Sequence, residues 1–318
     1  MSKVLLTGAS GFLGKSVLQR LISDKQQCTV AVRSGVENFP NEVDARIINS
    51  LDDQSEWLDL VNNQDVVIHC AARVHVMNET AADPLVEFRK INVMGTLNLA
   101  RAAAQSGVKR FIFISSIKVN GESTKPGQLF SADDLPAPCD PYGVSKMEAE
   151  QGLRKLSQET GMEVVIIRPV LIYGPGVKSN FRSMMISLRR GVPLPLGSIR
   201  NKRSLVALDN LVDLIATCIS HPNAANQTFL ASDGEDVSTP ELLIRMGKVL
   251  DKPARLIPVP SWVLYLCAAL VGRSAVAKRL CGSLQVDISK TCSLLHWKPP
   301  YGVDEALAKT AHDFTKGL

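Results

Sequence analysis

The sequence predicts a doubly wound parallel α/β sheet followed by a smaller α/β lobe. Two observations carry this: a glycine-rich strand-turn-helix at the start, and apolar strand-like runs that alternate with helical stretches afterwards. "KVLLT" is a short apolar run that meets glycines at once, and "FLGKSVLQRLIS" places Phe12, Leu13, Val17, Leu18, Leu21 and Ile22 at helical spacing. Gly8, Gly11 and Gly14 therefore occupy the turn between a buried strand and a helix, with Ser10 among them. Backbone without a β-carbon there can approach a pyrophosphate at the positive end of the helix. The spacing Gly-x-x-Gly-x-x-Gly departs from the commoner Gly-x-Gly-x-x-Gly.

"CTVAVRS", "ARIINS", "DVVIHCAAR", "RFIFISS" and "EVVIIRP" are the candidate second to sixth strands, several of them continuously apolar as in a sheet covered on both faces. Helices are expected near 83 to 106 and 141 to 160, and a ligand at the carboxyl ends of the strands. After "RPVLIYGPG" proline and glycine become frequent, and shorter helices are expected near 180 to 190, 239 to 250 and 260 to 272. The division expected is a dinucleotide-binding domain over 1–169 and a substrate lobe over 170–318, with the chain free to cross back.

Composition excludes several classes. At 45% hydrophobic and 21% charged residues the chain is not disordered. Seven scattered cysteines without a C-x-x-C pair suggest neither a disulfide framework nor a zinc site, so no metal and a reducing, cytoplasmic compartment are expected. His69, His75 and His296 have no metal-like spacing and read as packing or surface residues. No signal peptide is visible. "WVLYLCAALVG" (262 to 272) falls short of the roughly 20 residues of a spanning helix and reads as a buried or interfacial one. A net charge of +5, 5% aromatics and no recognition motif argue against nucleic acid.

"DPYGVSKMEAE" puts Tyr142 and Lys146 at i, i+4 on one helical face. A neighbouring cation favours phenolate, so Tyr142 is expected to titrate below the usual value of about 10 and to exchange a proton with a substrate oxygen. Ser115 and Ser116 end the apolar run "RFIFI", which brings at least one hydroxyl to the same crevice.

With TGASGFLG, "FISSIKVNG", YGVSK and "RPVLIYGPG" in this order, the chain resembles the extended short-chain dehydrogenase/reductase family over essentially its whole length, specifically the nucleotide-sugar members with a Rossmann domain. The resemblance implies an enzyme in which Tyr142 is the acid/base, Lys146 lowers its pKa and binds the nicotinamide ribose, and Ser116 hydrogen-bonds the reacting oxygen. Ser116 matches because it lies five residues before Gly121, where the family has Ser-x-x-Val-Tyr-Gly; Asn120 stands at the tyrosine. Family dehydratases follow the serine or threonine with Asp-Glu, and here Ile117 and Lys118 remove those carboxylates. The same resemblance adds Ala71, Ala72, Arg73, Asn92 and Pro169 to the cofactor site, and implies a homodimer built on helices 83 to 106 and 141 to 160.

Where an NAD enzyme usually places an acid after its second strand, this chain has Arg33 and Ser34, which suit a 2'-phosphate and favour NADP(H) over NAD(H). Stacking of Arg33 on adenine in an NAD enzyme is the alternative. Ser50 and Leu51 end the third strand beside the adenine. From Val164 to Leu208 there is no Asp or Glu but eight cations, Arg168 and Arg203 among them, which predicts a polyanionic ligand. By resemblance Asn180 and Arg203 bind the diphosphate of a UDP-sugar, and Leu196 and Gly197 meet the base. "HCAARVHVMNET" and "SSIKVNGE" resemble reductases of a UDP-4-keto-6-deoxy-N-acetylhexosamine. Reduction of that C4 ketone is the expectation, with a UDP-sugar 4-epimerase retaining NAD as the alternative. A non-catalytic dinucleotide-sensing regulator would be expected to lack Tyr142 or Lys146.

Overall fold

The computed structural model describes residues 2–49, 54–74 and 83–316. Its strands are β1 (Lys3–Thr7), β2 (Gln27–Val32), β3 (Asp44–Ile47), β4 (Val66–His69), β5 (Arg110–Ile114), β6 (Glu163–Pro169), β7 (Leu171–Tyr173), β8 (Arg203–Ala207), β9 (Thr228–Ala231) and β10 (Asp236–Val237). The helices are α1 (Phe12–Ser23), α2 (Gln54–Val61), α3 (Pro84–Arg89), α4 (Thr96–Gln105), α5 (Pro141–Thr160), α6 (Ser179–Arg189), α7 (Leu208–Ser220), α8 (Thr239–Val249), α9 (Ser261–Leu270), α10 (Ser274–Cys281), α11 (Ser289–Leu295) and α12 (Val303–Lys316).

Seven parallel strands form the main sheet in the order β3-β2-β1-β4-β5-β6-β9, the doubly wound arrangement expected. Alternate residues of each strand feed opposite faces. Leu6, Val30, Ile112 and Ile167 pack with α1 and α7, while Leu5, Ala31, Phe111 and Ile166 pack with Trp57 of α2, Leu99 of α4 and Leu153 of α5. Cover on both faces is why these strands read as unbroken apolar runs. The chain crosses back after residue 170, since α7 lies on α1 and β9 pairs with β6. A second sheet, β10-β8-β7, carries the smaller lobe, whose core joins Tyr173, Phe181, Met185, Leu243 and Phe314.

A buried polar network fastens α5 to the carboxyl ends of β5 and β6. Arg168 donates to both oxygens of Glu150 (2.5 and 2.9 Å) and, through Nη1, to Asn120 Oδ1 (2.9 Å). Ser115 Oγ donates to Glu150 Oε1 (2.5 Å), and Asn120 Nδ2 to the Ser131 carbonyl (2.8 Å). Arg168 is thus spent within the protein, a correction to its place among the cations expected to face a polyanion. Asn120, standing where the family has tyrosine, completes the coordination of that guanidinium. Glu150→Gln should lower unfolding free energy by about 3–5 kcal/mol, because it leaves a buried cation uncompensated. Urea unfolding measures this, and Glu150→Leu combined with Arg168→Met should lose less than the single change.

Candidate active site

The glycine turn is built for a close backbone approach. Gly8 adopts φ +74°, and a β-carbon on it would lie 2.7 Å from the Ala71 nitrogen. One on Gly14 would lie 2.0 Å from the Gly8 carbonyl oxygen. Gly11 caps α1 without a side chain, and the first turn holds no acid, so the amides there remain for an anion. Ser10 is exposed beside them, whereas Phe12 and Leu13 are half-buried. Thr7 pairs with Ala31, so Arg33 and Ser34, both exposed, follow β2 on the same carboxyl edge. Arg33 makes no ion pair among the described residues. Ser50 and Leu51 lie outside the described residues, as does His75.

The loop after β4 is held from two sides. Ala71 N–H donates to Thr7 Oγ1 (3.3 Å). Asn92, on a π-helical turn between α3 and α4, accepts from the Arg73 amide (2.8 Å) and donates to the Arg73 carbonyl (3.0 Å) and to Ser145 Oγ (3.0 Å). Its amide therefore fixes the Ala71, Ala72 and Arg73 loop against α5, an indirect contribution to any cofactor site. His69 is buried between Thr7 and Thr96, and burial with the nearby Lys146 cation pushes it down to about 3. It is a neutral packing residue. Pro169 is buried at the end of β6.

Tyr142 sits in the first turn of α5, with Pro141 ahead of it and Asp140 as N-cap accepting from Gly143 N–H (2.7 Å). Lys118 pairs with the other Asp140 oxygen. The Ser116 hydroxyl accepts from the Lys118 amide (3.3 Å) and stands near enough to the Tyr142 phenol to favour its ionised form, whereas Ser115 turns away to Glu150. Lys146 is buried, with Nζ donating to the Ile114 carbonyl (2.8 Å) and lying 4.3 Å from the centre of the Phe113 ring. Phe88 meets Tyr142 edge-on at 5.9 Å, and the Arg73 guanidinium lies 5.7 Å from that same ring.

Here the expectation for Tyr142 fails. Burial pushes the phenol up to about 12, against the lowering effect of the nearby Ser116 hydroxyl. The ammonium expected to lower it is held on a carbonyl and an aromatic face, so loss of solvent dominates. The same burial pushes Lys146 down to about 8, with Cys70 and Glu150 opposing.

Across the cleft, a β-carbon on Gly176 would come within 4.0 Å of the Phe12 ring, so the glycine turn faces the loop that leads to α6. Asn180 is exposed in the first turn of α6, where no acid and no side-chain cap occupy the amides. Arg203 Nη1 donates to the carbonyls of Arg279 (2.9 Å) and Gly282 (3.1 Å), and burial with the neighbouring Arg279 cation pushes its pKa down. Two guanidinium groups side by side ask for an anion. Arg279 escaped sequence reasoning because it lies far from the stretch between Val164 and Leu208; the only signal was a second acid-free stretch from Lys252 to Val286. Leu196 is buried in the lobe core, and Gly197 N–H donates to the Ile257 carbonyl (3.0 Å). Tyr173 is structural, since its hydroxyl donates to Asp233 (2.8 Å), which also accepts from Ala207 N–H and Asn210.

Residues 4–231 match the model of the NAD dependent epimerase/dehydratase family. The chain belongs to that family. A UDP-glucose 4-epimerase of Vibrio cholerae is 49% identical over 98% of this chain and 95% of its own length. An N-acetyl-alpha-D-glucosaminyl-diphospho-ditrans,octacis-undecaprenol 4-epimerase of Escherichia coli O157:H7 is 27% identical over 96% and 93%. Among solved structures, a UDP-glucose 4-epimerase with UDP-glucose from Thermotoga maritima shares the fold at a TM-score of 0.79 and 22% identity, covering 99% of both chains. A nucleotide-sugar enzyme of the extended short-chain dehydrogenase/reductase type was expected and is found. The Vibrio cholerae and Escherichia coli relatives are 4-epimerases, however, where a 4-ketoreductase was expected. As a family member the chain has a glycine turn and free helix amides that fit NAD.

The Lys146 value sets a pH dependence. Its folded pKa of about 8 means that the cation is present below that pH and lost above it. Accordingly kcat/KM should fall as pH rises through about 8, and Lys146→Arg, which keeps its charge, should move that descending limb upward. Steady-state profiles of the two proteins check this.

Proposed function

We propose that the protein is a UDP-sugar 4-epimerase, acting on a UDP-hexose or UDP-N-acetylhexosamine with NAD retained through turnover. The observation that carries this is the 49% identity, over nearly both full lengths, with a UDP-glucose 4-epimerase. The arrangement of Ser116, Tyr142 and Lys146 suits the chemistry. Bound nicotinamide supplies the hydride acceptor and donor and, when oxidised, a positive charge. Tyr142 would release its own proton to solvent when the cofactor's positive charge and Lys146 favour phenolate; the phenolate would then take the proton of the C4 hydroxyl as hydride leaves C4, and give it back on the return step. Ser116 would hydrogen-bond the C4 oxygen beside the phenol. Lys146, anchored on Ile114, lies one helical turn from Tyr142 and adds its charge. Arg203, Arg279 and Asn180 hold the diphosphate, leaving the sugar free to turn between the two half-reactions.

One observation favours a second reading. Arg33, exposed just after β2 and without an ion pair among the described residues, suits the 2'-phosphate of NADP(H), as a 4-ketoreductase would use. Incubation with UDP-glucose and with UDP-GlcNAc, without added cofactor, should give the C4 epimers. Conversion only of a UDP-4-keto-6-deoxy-N-acetylhexosamine with added NADPH, together with loss of NADPH preference in Arg33→Ala, would establish the reductase instead.

Tyr142→Phe should reduce turnover by roughly 100-fold or more with NAD binding nearly intact, since it removes proton transfer and leaves packing. Product analysis and a cofactor titration of that variant test the role. Arg203→Ala should weaken UDP binding by roughly 2–3 kcal/mol, because a charged partner is lost in a partly closed site. Calorimetric titration of UDP measures this, with NAD affinity unchanged.

A further inference from the structure

Helix α9 buries none of its residues, although it is the most apolar helix of the chain. Trp262 (69% exposed), Tyr265, Leu266 (55%), Leu270 (79%) and Val271 (68%) crowd one side of it and its end. A patch of this kind, carrying Trp and Tyr, marks an interaction surface. Helix α10 packs against it and adds the exposed Val276. The hairpin itself carries the exposed cations Arg273, at the N-cap of α10, and Lys278, within α10, and the sequence has no Asp or Glu between Lys252 and Val286.

We propose that the α9–α10 hairpin is a docking face for an anionic membrane surface. Ten residues, about 15 Å of helix, cannot cross a bilayer. They can lie in the interface, with Trp262 and Leu270 among the acyl chains and the two cations against anionic headgroups. These cations decide against the other obvious occupant, a second copy of the same face. A two-fold contact would bring the like charges of Arg273 and Lys278 together around the patch, whereas lipid phosphates neutralise them. The hairpin also borders the proposed diphosphate site, since Arg203 is held by the carbonyls of Arg279 and Gly282 at the end of α10. Docking would set that site beside the bilayer.

Trp262 is a built-in reporter, because the other two tryptophans, Trp57 and Trp297, are buried. The full-length protein is mixed with vesicles of phosphatidylcholine, with and without phosphatidylglycerol. Co-flotation and a blue shift of tryptophan emission are expected with the anionic vesicles and should weaken with salt. Leu266→Gln combined with Leu270→Gln should weaken binding at least about tenfold. Arg273→Gln combined with Lys278→Gln should weaken it about thirtyfold on anionic vesicles. Both double variants alter exposed residues, so their melting temperatures and their turnover of soluble UDP-sugar should match wild type, which keeps this test separate from that of the reaction. Absence of flotation and of the blue shift overturns the proposal. So does a blue shift that follows protein concentration without vesicles, with light scattering reporting a dimer that the leucine variants dissociate.

Discussion

The placement of the reacting groups depends on the buried pair between Glu150 and Arg168. Tyr142, Lys146 and Glu150 follow one another at four-residue spacing along one stripe of α5. Glu150, the deepest anchor, fixes that stripe to β6 through Arg168 and to β5 through Ser115. The isolated pair would gain little, since two ions leave water. Ser115, Asn120 and Arg154 surround it with further donors and acceptors, so the charges are coordinated on several sides. Ser115 turns its hydroxyl to Glu150, while that of Ser116 caps the following turn by accepting from Lys118 N–H.

The N-terminus of α5 is set with equal care. Asp140 caps it and in turn holds Lys118, one of the two residues that replace the carboxylate pair of dehydratases. The chain therefore uses that position for structure where its dehydratase relatives use it for chemistry. Asn92 closes the arrangement by joining the loop after β4 to Ser145, whose hydroxyl donates to the Tyr142 carbonyl (2.8 Å). The loop after β4, Ser145 and the Tyr142 backbone are thus parts of one hydrogen-bonded unit.

What could be read from the sequence followed the local signals. The first six strands were legible because most of them are nearly continuous apolar runs, the edge strand β3 being the exception, and the glycine turn because its residues are close in the chain. Strand β9 was not, because "TFLA" is four residues long and joins the sheet from beyond the first lobe residues. The depressed phenol failed for a related reason. Spacing puts Lys146 on the face of Tyr142, but the height of Nζ is decided by Ile114 and Phe113, which are distant in sequence. Arg168 was misread because a run of cations does not reveal that one of them meets Glu150 on another element. Loss of the dehydratase carboxylates excludes one reaction without choosing between reduction and epimerisation.

The two lobes divide the electrostatic work. The glycine turn offers backbone amides and a helix end, a fixed partial charge that titrates nowhere in the working pH range. The second lobe offers guanidinium groups, among them Arg203, whose pKa is pushed down by burial and by the neighbouring Arg279 cation. Carbonyls at the end of α10 keep Arg203 in place, and in the proposed function an anion would relieve that like-charge contact. Lys146, on α5 against β5, is instead desolvated. Lys146 therefore sits close to its own protonation limit, where a modest change in surroundings alters its charge. The phenol is displaced in the opposite sense, upward to about 12. Because both departures come from the same loss of solvent, a new positive charge in the cleft would act on both groups at once, favouring phenolate and disfavouring the ammonium. Any proton exchange at Tyr142 would thereby depend on the charges brought into the cleft, since a phenol pushed up to about 12 is protonated across the working pH range.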